Sequence, residues 1–158
     1  KKVNPNVEIL ATRKTLPGLR DIEKRAVVHG GGATHRMRLD DAILIKDNHL
    51  KLSKNIKKSI EISRSKYPNL MVEVEADNEQ QAIEIAKNGA DRVMLDNFSP
   101  DEATATIRKL REISDIEIEI SGGVTIENIA SYAKKADFIS LGSLTMSSLP
   151  VDFSLHVL

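Results

Sequence analysis

Ala42-Ile43-Leu44-Ile45, followed at once by Lys46-Asp47-Asn48-His49, is the stretch on which the fold turns. A short apolar run ending in a polar string is the pattern of a buried parallel strand that opens into a ligand site. The layout occurs five more times. Ile9-Leu10-Ala11 runs into Thr12-Arg13-Lys14, Met71-Val72-Glu73-Val74 into Glu75, and Val93-Met94-Leu95 into Asp96. Ile116 to Ile120 alternates with glutamate and leads to Ser121-Gly122-Gly123, and Phe138-Ile139-Ser140-Leu141 leads to Gly142. Parallel strands put all these ends on one face, which in an α/β barrel is the active-site face. The pattern points to an enzyme with a polyanionic ligand.

Strands are expected at 7–12, 42–46, 71–75, 92–96, 116–121 and 137–141. Helices fill the gaps. The clearest is 100–112, where Ser99 and Glu102 form a capping box around Pro100 and Ala103, Ile107 and Leu110 face inward. A second covers 78–88, with Asp77 as N-cap, Ala82, Ile85 and Ala86 inward and Gly89 as its stop. A third covers 53–66 with Ile56 and Ile60 inward, and a fourth covers 125–134 with Ile129, Ala130 and Ala133. Alternating βα units imply a parallel sheet with right-handed crossovers. A helix reaching about Val28 and the run Gly30-Gly31-Gly32 fill a long excursion over 16–41.

The chain has 158 residues, and a complete α/β barrel takes about 250. It opens Lys1-Lys2 without an initiator Met, so it reads as part of a larger protein and as an incomplete (β/α) TIM-like barrel of α/β class. No cysteine is present, which excludes a disulfide framework and thiolate metal sites. No apolar stretch or signal-peptide pattern marks a membrane or secreted protein, so a cytoplasmic enzyme is expected. Lys and Arg total 23 against 23 Asp and Glu, with no Trp, which argues against nucleic acid as a partner. Basic residues concentrate in 1–40, as suits a small anion. Within that segment Arg20, Lys24 and Arg25 read as a solvated helix face.

Chemistry gathers at the strand ends. Arg13 offers a planar fork to carboxylate or phosphate, and Lys14 a point charge. The glycines at 30–32 allow backbone N–H groups to approach an anion, with His35 and Arg36 following. Lys46 either neutralises an anion or forms a Schiff base, whereas His49 reads as a hydrogen-bonded loop residue. Glu75 and Asp96 suit Mg2+ held with substrate phosphates, or an internal ion network with Lys14 and Lys46. Ser121-Gly122-Gly123 before a helix and Gly142-Ser143 after the last strand look like a split phosphate cradle.

Thr12-Arg13-Lys14-Thr15, Pro17-Gly18-Leu19-Arg20, Gly30-Gly31-Gly32 with His35-Arg36, and Leu44 to His49 together resemble quinolinate phosphoribosyltransferase. Val72 to Glu75, Met94 to Asn97, Ser121 to Thr125 with Glu127-Asn128-Ile129, and Gly142 with Leu144-Thr145 fit the same family in order and spacing. The resemblance implies a type II phosphoribosyltransferase-like barrel. Its expected reaction takes quinolinate and phosphoribosyl pyrophosphate, with Mg2+, to nicotinate mononucleotide, pyrophosphate and carbon dioxide, a step of NAD biosynthesis. By resemblance, Arg13, His35, Arg36 and Lys46 hold quinolinate. Lys14, Glu75 and Asp96 surround the phosphoribosyl substrate and its metal, which Glu75 and Asp96 bind directly or indirectly. Ser121, Gly122, Gly123, Gly142 and Ser143 cradle the 5′-phosphate, and Lys14, Lys46, Glu75 and Asp96 form the catalytic group.

The family pattern also implies a homodimer or higher homo-oligomer with a site shared between subunits. By resemblance, an N-terminal sandwich domain outside this chain is expected. Residues 1–149 are the barrel, and 150–158, where Val151, Phe153, Leu155 and Val157 alternate with polar residues, are a strand for that domain's sheet. Two residues depart from the pattern: Ala11 stands in place of an Asp, and Met146 in place of a His, with Ser143, Thr145 and Ser147 as other donors nearby. The rival readings are nicotinate phosphoribosyltransferase and a non-catalytic binding paralogue.

Overall fold

The computed structural model describes residues 4–133 and 135–157. Seven strands form one parallel sheet: β1 (Glu8–Ala11), β2 (Ala33–Thr34), β3 (Ile43–Ile45), β4 (Val72–Ala76), β5 (Arg92–Asp96), β6 (Glu117–Ser121) and β7 (Phe138–Leu141). The hydrogen-bonded order is β2-β1-β7-β6-β5-β4-β3. This is sequence order wound into a ring. β7 closes on β1, with Glu8 opposite Phe138 and Ala11 opposite Leu141, and no strand pairing joins β2 to β3 among the described residues. The expected incomplete barrel is present, with seven strands rather than six. The added strand, β2, is two residues long and lies inside the excursion over 16–41.

Helices α1 (Arg20–His29), α2 (Asp47–Ser53), α3 (Ile56–Lys66), α4 (Glu79–Lys87), α5 (Pro100–Ile113) and α6 (Ile129–Tyr132) connect the strands. The capping box of α5 forms as expected, and Ala103, Ile107 and Leu110 are buried. Asn78, not Asp77, caps α4, its side chain accepting from Gln81 N at 3.0 Å. The helix expected over 53–66 starts three residues later, as α3, and a separate short helix, α2, precedes it. Lys54 adopts φ 52, and Asn55 starts α3 by accepting from Lys58 N at 2.8 Å. The helix expected over 125–134 shrinks to one turn, because Asn128 Oδ1 takes the Thr125 N–H at 2.8 Å and stabilises a turn there instead. Lys134, at that helix's expected end, and Lys1, Lys2 and Leu158 lie outside the described residues.

Strand alternation sorts the side chains. Val72, Val74, Val93, Leu95, Ile118, Ile120 and Ile139 pack outward with Ile60, Ile85 and Leu110 in one buried core. The opposite face points into the ring. Register places Glu73 beside Arg92, Met94 beside Glu119, and Asp96 beside Ser121 on that face. The interior is therefore charged where the exterior is apolar, although Glu73 and Glu119 have no solvent exposure.

A repeated clamp ties the strand N-terminal ends. Asp91 accepts from Val72 N at 2.7 Å and from Arg64 at 2.8 Å, and Asp137 accepts from Ile118 N at 2.8 Å and from Arg111. Asp91→Ala orphans the buried Val72 N–H, so chemical denaturation should register a loss of about 1–3 kcal/mol. Ligand affinity should hold, since the clamp lies at the far end from Lys46 and Asp96.

Candidate active site

A cavity of about 310 Å³ opens at the strand C-terminal ends. Thr12, Arg13 and Lys14 enter it from the end of β1, His35 and Arg36 from the end of β2, and Lys46 from the end of β3. Met94, Asp96, Glu119, Ser121 and Ser140 complete the far wall. A wider hollow of about 800 Å³ lies against Thr15, Arg20, Met37, Arg38 and Asp41, but its cations are already engaged. Arg20 donates to Thr15 Oγ1 and Met37 O, both at 3.2 Å, and Arg38 approaches Asp40 at 3.6 Å.

In the smaller cavity, Arg13, Lys14 and Arg36 have no carboxylate within salt-bridge distance among the described residues. The Nε atoms of Arg13 and Arg36 are buried without a hydrogen-bond partner. Burial, then repulsion from Arg13, lowers the Arg36 guanidinium from its ordinary value. Two half-buried guanidiniums that repel each other leave positive charge uncompensated at the cavity.

Lys46 Nζ reaches Glu75 Oε2 at 2.6 Å, so these two residues share a face as expected. Asp96 lies beside them. Burial raises its carboxyl above the usual range, and the Glu75 charge raises it further, against Lys46 and Lys14. That mutual repulsion is what a divalent cation relieves, so Glu75 and Asp96 fit Mg2+. Asn97, which the sequence reading passed over, adopts φ 58 and donates from Nδ2 to Asp96 at 2.7 Å. A side chain at Gly122, φ 77, would collide with Asn97, so this glycine is required.

His49 is hydrogen-bonded as expected, its Nδ1 accepting from Lys46 N at 2.9 Å. Four other expectations change. Lys24 is not solvated but 1% exposed. Gly30-Gly31-Gly32 does not line the cavity. It ends α1 and lets the chain pass β1, where a Cβ on Gly32 would press on Ile9 O and Val27. No long helix follows Gly123, so backbone amides rather than a helix end are available at that turn. Thr145 is no spare donor, since its hydroxyl donates to Lys14 O. Glu75, Gly122, Gly123, Gly142 and Ser143 stand outside the cavity lining, although Gly142 adjoins the Lys14 side chain.

Both ring nitrogens of His35 face protein groups. Nδ1 accepts from Arg36 N at 2.8 Å, and Nε2 lies 2.8 Å from Glu73 and 3.4 Å from Glu119. Neither carboxylate was assigned a role from sequence. Burial pulls the imidazole down, but Glu119 and Glu73 outweigh it and raise the ring to about 9. Arg92 supports Glu119 at 3.4 Å and stacks over Phe138.

An open (β/α) barrel with a cation-lined cavity beside two carboxylates at its strand ends is the class of site this chain presents. The chain belongs to the quinolinate phosphoribosyl transferase family, residues 1–156 matching the model of that family's C-terminal domain. It is 43% identical over 162 residues to the probable nicotinate-nucleotide pyrophosphorylase (carboxylating) of Archaeoglobus fulgidus, covering 100% of this chain and 62% of that protein. Against the human nicotinate-nucleotide pyrophosphorylase (carboxylating) it is 39% identical, covering 94% of this chain and 51% of that one. The crystal structure of NadC from Streptococcus pyogenes superposes with TM-score 0.89 at 39% identity, over 96% of this chain and 53% of that one. The chain thus spans about half to three fifths of these relatives' length. No helix among the described residues is long and apolar enough to cross a membrane.

A raised imidazole binds its proton more tightly when folded, so its stabilisation is complete below its ordinary value of 6.5 and fades as pH rises toward about 9. Lys24, lowered to about 8, acts with the opposite sign above that pH. Thermal melts between pH 6.5 and 8 should therefore show a falling midpoint, and His35→Gln should flatten the fall.

Proposed function

We propose that this chain carries the catalytic barrel of a quinolinate phosphoribosyltransferase, transferring phosphoribose from phosphoribosyl pyrophosphate to quinolinate with loss of carbon dioxide. The observation that carries this reading is the set of unpaired cations Arg13, Lys14 and Arg36 around one cavity. Quinolinate is a rigid dicarboxylate, and Arg13 and Arg36 supply forks for its two carboxylates, with Lys46 at the third side. His35 forms wall rather than a direct donor, given its contacts with Glu73 and Glu119.

The chemistry follows from charge. The pyridine nitrogen attacks ribose carbon 1 as pyrophosphate leaves, and the anomeric centre gains oxocarbenium character. Glu75 and Asp96 would stabilise that charge. Lys14 neutralises phosphate oxygens, and the Ser121, Gly122, Gly123, Gly142 and Ser143 turns offer backbone N–H groups to the 5′-phosphate. Mg2+ held near Glu75 and Asp96 would supply charge neutralisation for the pyrophosphate. The pyridinium then draws the electron pair from its 2-carboxylate, carbon dioxide departs, and carbon 2 takes a proton.

Assembly into a homodimer with a shared site, in the cytoplasm, completes the proposal. Val151, Phe153, Leu155 and Val157 are exposed and lack regular structure here, and their alternation suits a strand that joins another sheet.

Calorimetric titration of the full-length protein with quinolinate and nicotinate separates the readings. The second carboxylate should favour quinolinate by roughly tenfold or more. Equal affinities would point to nicotinate as the substrate, and no binding of either to a non-catalytic paralogue. Lys46→Met should weaken quinolinate binding by roughly 30- to 5,000-fold, with little effect on phosphoribosyl pyrophosphate. If Lys46 only balances Glu75, stability moves instead and quinolinate affinity stays within about threefold.

A further inference from the structure

Lys24 is the least expected group in the molecule. It belongs to α1, is 1% exposed, and has no carboxylate within salt-bridge distance among the described residues. Its ammonium donates to Ala11 O at 2.9 Å, His35 O at 2.6 Å and Arg36 O at 2.6 Å. An ammonium has three protons and no acceptor capacity, so all its donors are used on main-chain oxygens.

Those oxygens are not scattered. The Ala11 carbonyl belongs to the peptide that enters Thr12 and Arg13. The His35 and Arg36 carbonyls belong to the peptides on either side of the Arg36 backbone. Ala11 O also accepts from His35 N at 3.1 Å, where the ends of β1 and β2 meet. One buried charge therefore grips both chain segments from which the cavity's arginines project. A neutral residue of similar length would fill the space but deprive the His35 and Arg36 carbonyls of this donor and leave Ala11 O with His35 N alone, and a carboxylate partner would cancel the field. Neither is what the sequence supplies.

We infer that Lys24 is a positioning residue for anion recognition: its ammonium fixes the strand ends that carry Arg13, His35 and Arg36 and stands as a positive charge behind them at neutral pH. This rests on the dicarboxylate reading of the cavity. The groups facing Lys24 are Arg20 on its own helix, Arg13 beyond β1, and Arg36 and Asp41 in the connection from β2 to β3. Burial first, and then Arg20 and Arg13, lower the ammonium to about 8, so it is charged at neutral pH and loses its proton in mildly alkaline solution.

The test uses the full-length protein and its Lys24→Met and Lys24→Arg variants, titrated calorimetrically with quinolinate and with phosphoribosyl pyrophosphate from pH 7 to 9. Lys24→Met should weaken quinolinate binding by roughly tenfold or more while phosphoribosyl pyrophosphate stays within about threefold. The parent's quinolinate affinity should fall with an apparent midpoint near 8, a fall that Lys24→Met removes and Lys24→Arg shifts beyond the range. A folded Lys24→Met protein with parental quinolinate affinity and an unchanged pH profile would overturn the inference.

Should Lys24→Met fail to fold, the parent alone decides. The backbone amide resonances of Thr12, Arg36 and Met37 must titrate together with the affinity near pH 8. A flat response of both from pH 7 to 9 overturns the inference. If the parent binds no quinolinate at all, the dicarboxylate reading fails, and the inference falls with it as an account of anion recognition. The three amide titrations then separately show whether the main-chain grip is real.

Discussion

The contact of His35 with Glu73 and Glu119 is the interaction that the rest of the site depends on. The ring of strands is open between β2 and β3. His35 follows β2, and its Nε2 lies 2.8 Å from Glu73 on β4. It thus crosses the barrel interior where no strand pairing spans the gap. Arg36 adds a second link, donating from Nη1 to Ala42 O at 3.2 Å, just ahead of β3. Without these contacts the segment carrying His35 and Arg36 would be held only through β1 and α1.

The arrangement is costly. Buried charge is unfavourable unless paired, and here two carboxylates, one imidazole and two guanidiniums lie close together without full pairing. Below the cavity opposite charges lie in contact: Arg92 joins Glu117 at 2.7 Å and Glu119 at 3.4 Å, and His35 Nε2 lies between Glu73 and Glu119 without hydrogen-bond geometry to either. At the cavity the balance stops, and Arg13 and Arg36 keep Nε groups without partners. The lower layer is thus held by contacts between opposite charges, while the strand ends above it carry an excess of positive charge.

Much of this was legible in the sequence. Strands β3 to β7 showed as apolar runs because their outward face packs on helices, and Lys46, Glu75 and Asp96 showed as the polar ends of those runs. Strand β2 did not, because two residues leave no period to read. Helix α2 was hidden because Asp47-Asn48-His49 has loop composition, and only the left-handed Lys54 marks where one helix ends and the next begins. Glu73 and Glu119 occupy strand interiors, and Arg92 a strand start, where a sequence reading weights apolar neighbours; their role appears only when the sheet curls and the inner faces meet. Lys24 was the hardest. Arg20-Asp21-Ile22-Glu23-Lys24-Arg25 has the composition of a wet helix, and the three carbonyls that draw Lys24 inward come from two distant segments.

The central claim is that Arg13 and Arg36 are held unpaired to receive a dicarboxylate. Its most direct measurement is the ¹⁵N-resolved response of arginine Nε–H groups in the full-length protein titrated with quinolinate. Saturable shifts at Arg13 and Arg36, with Arg20 and Arg38 unmoved, are the predicted result. Shifts confined to Arg20 and Arg38, or none at Arg13 and Arg36 under saturating ligand, would contradict it.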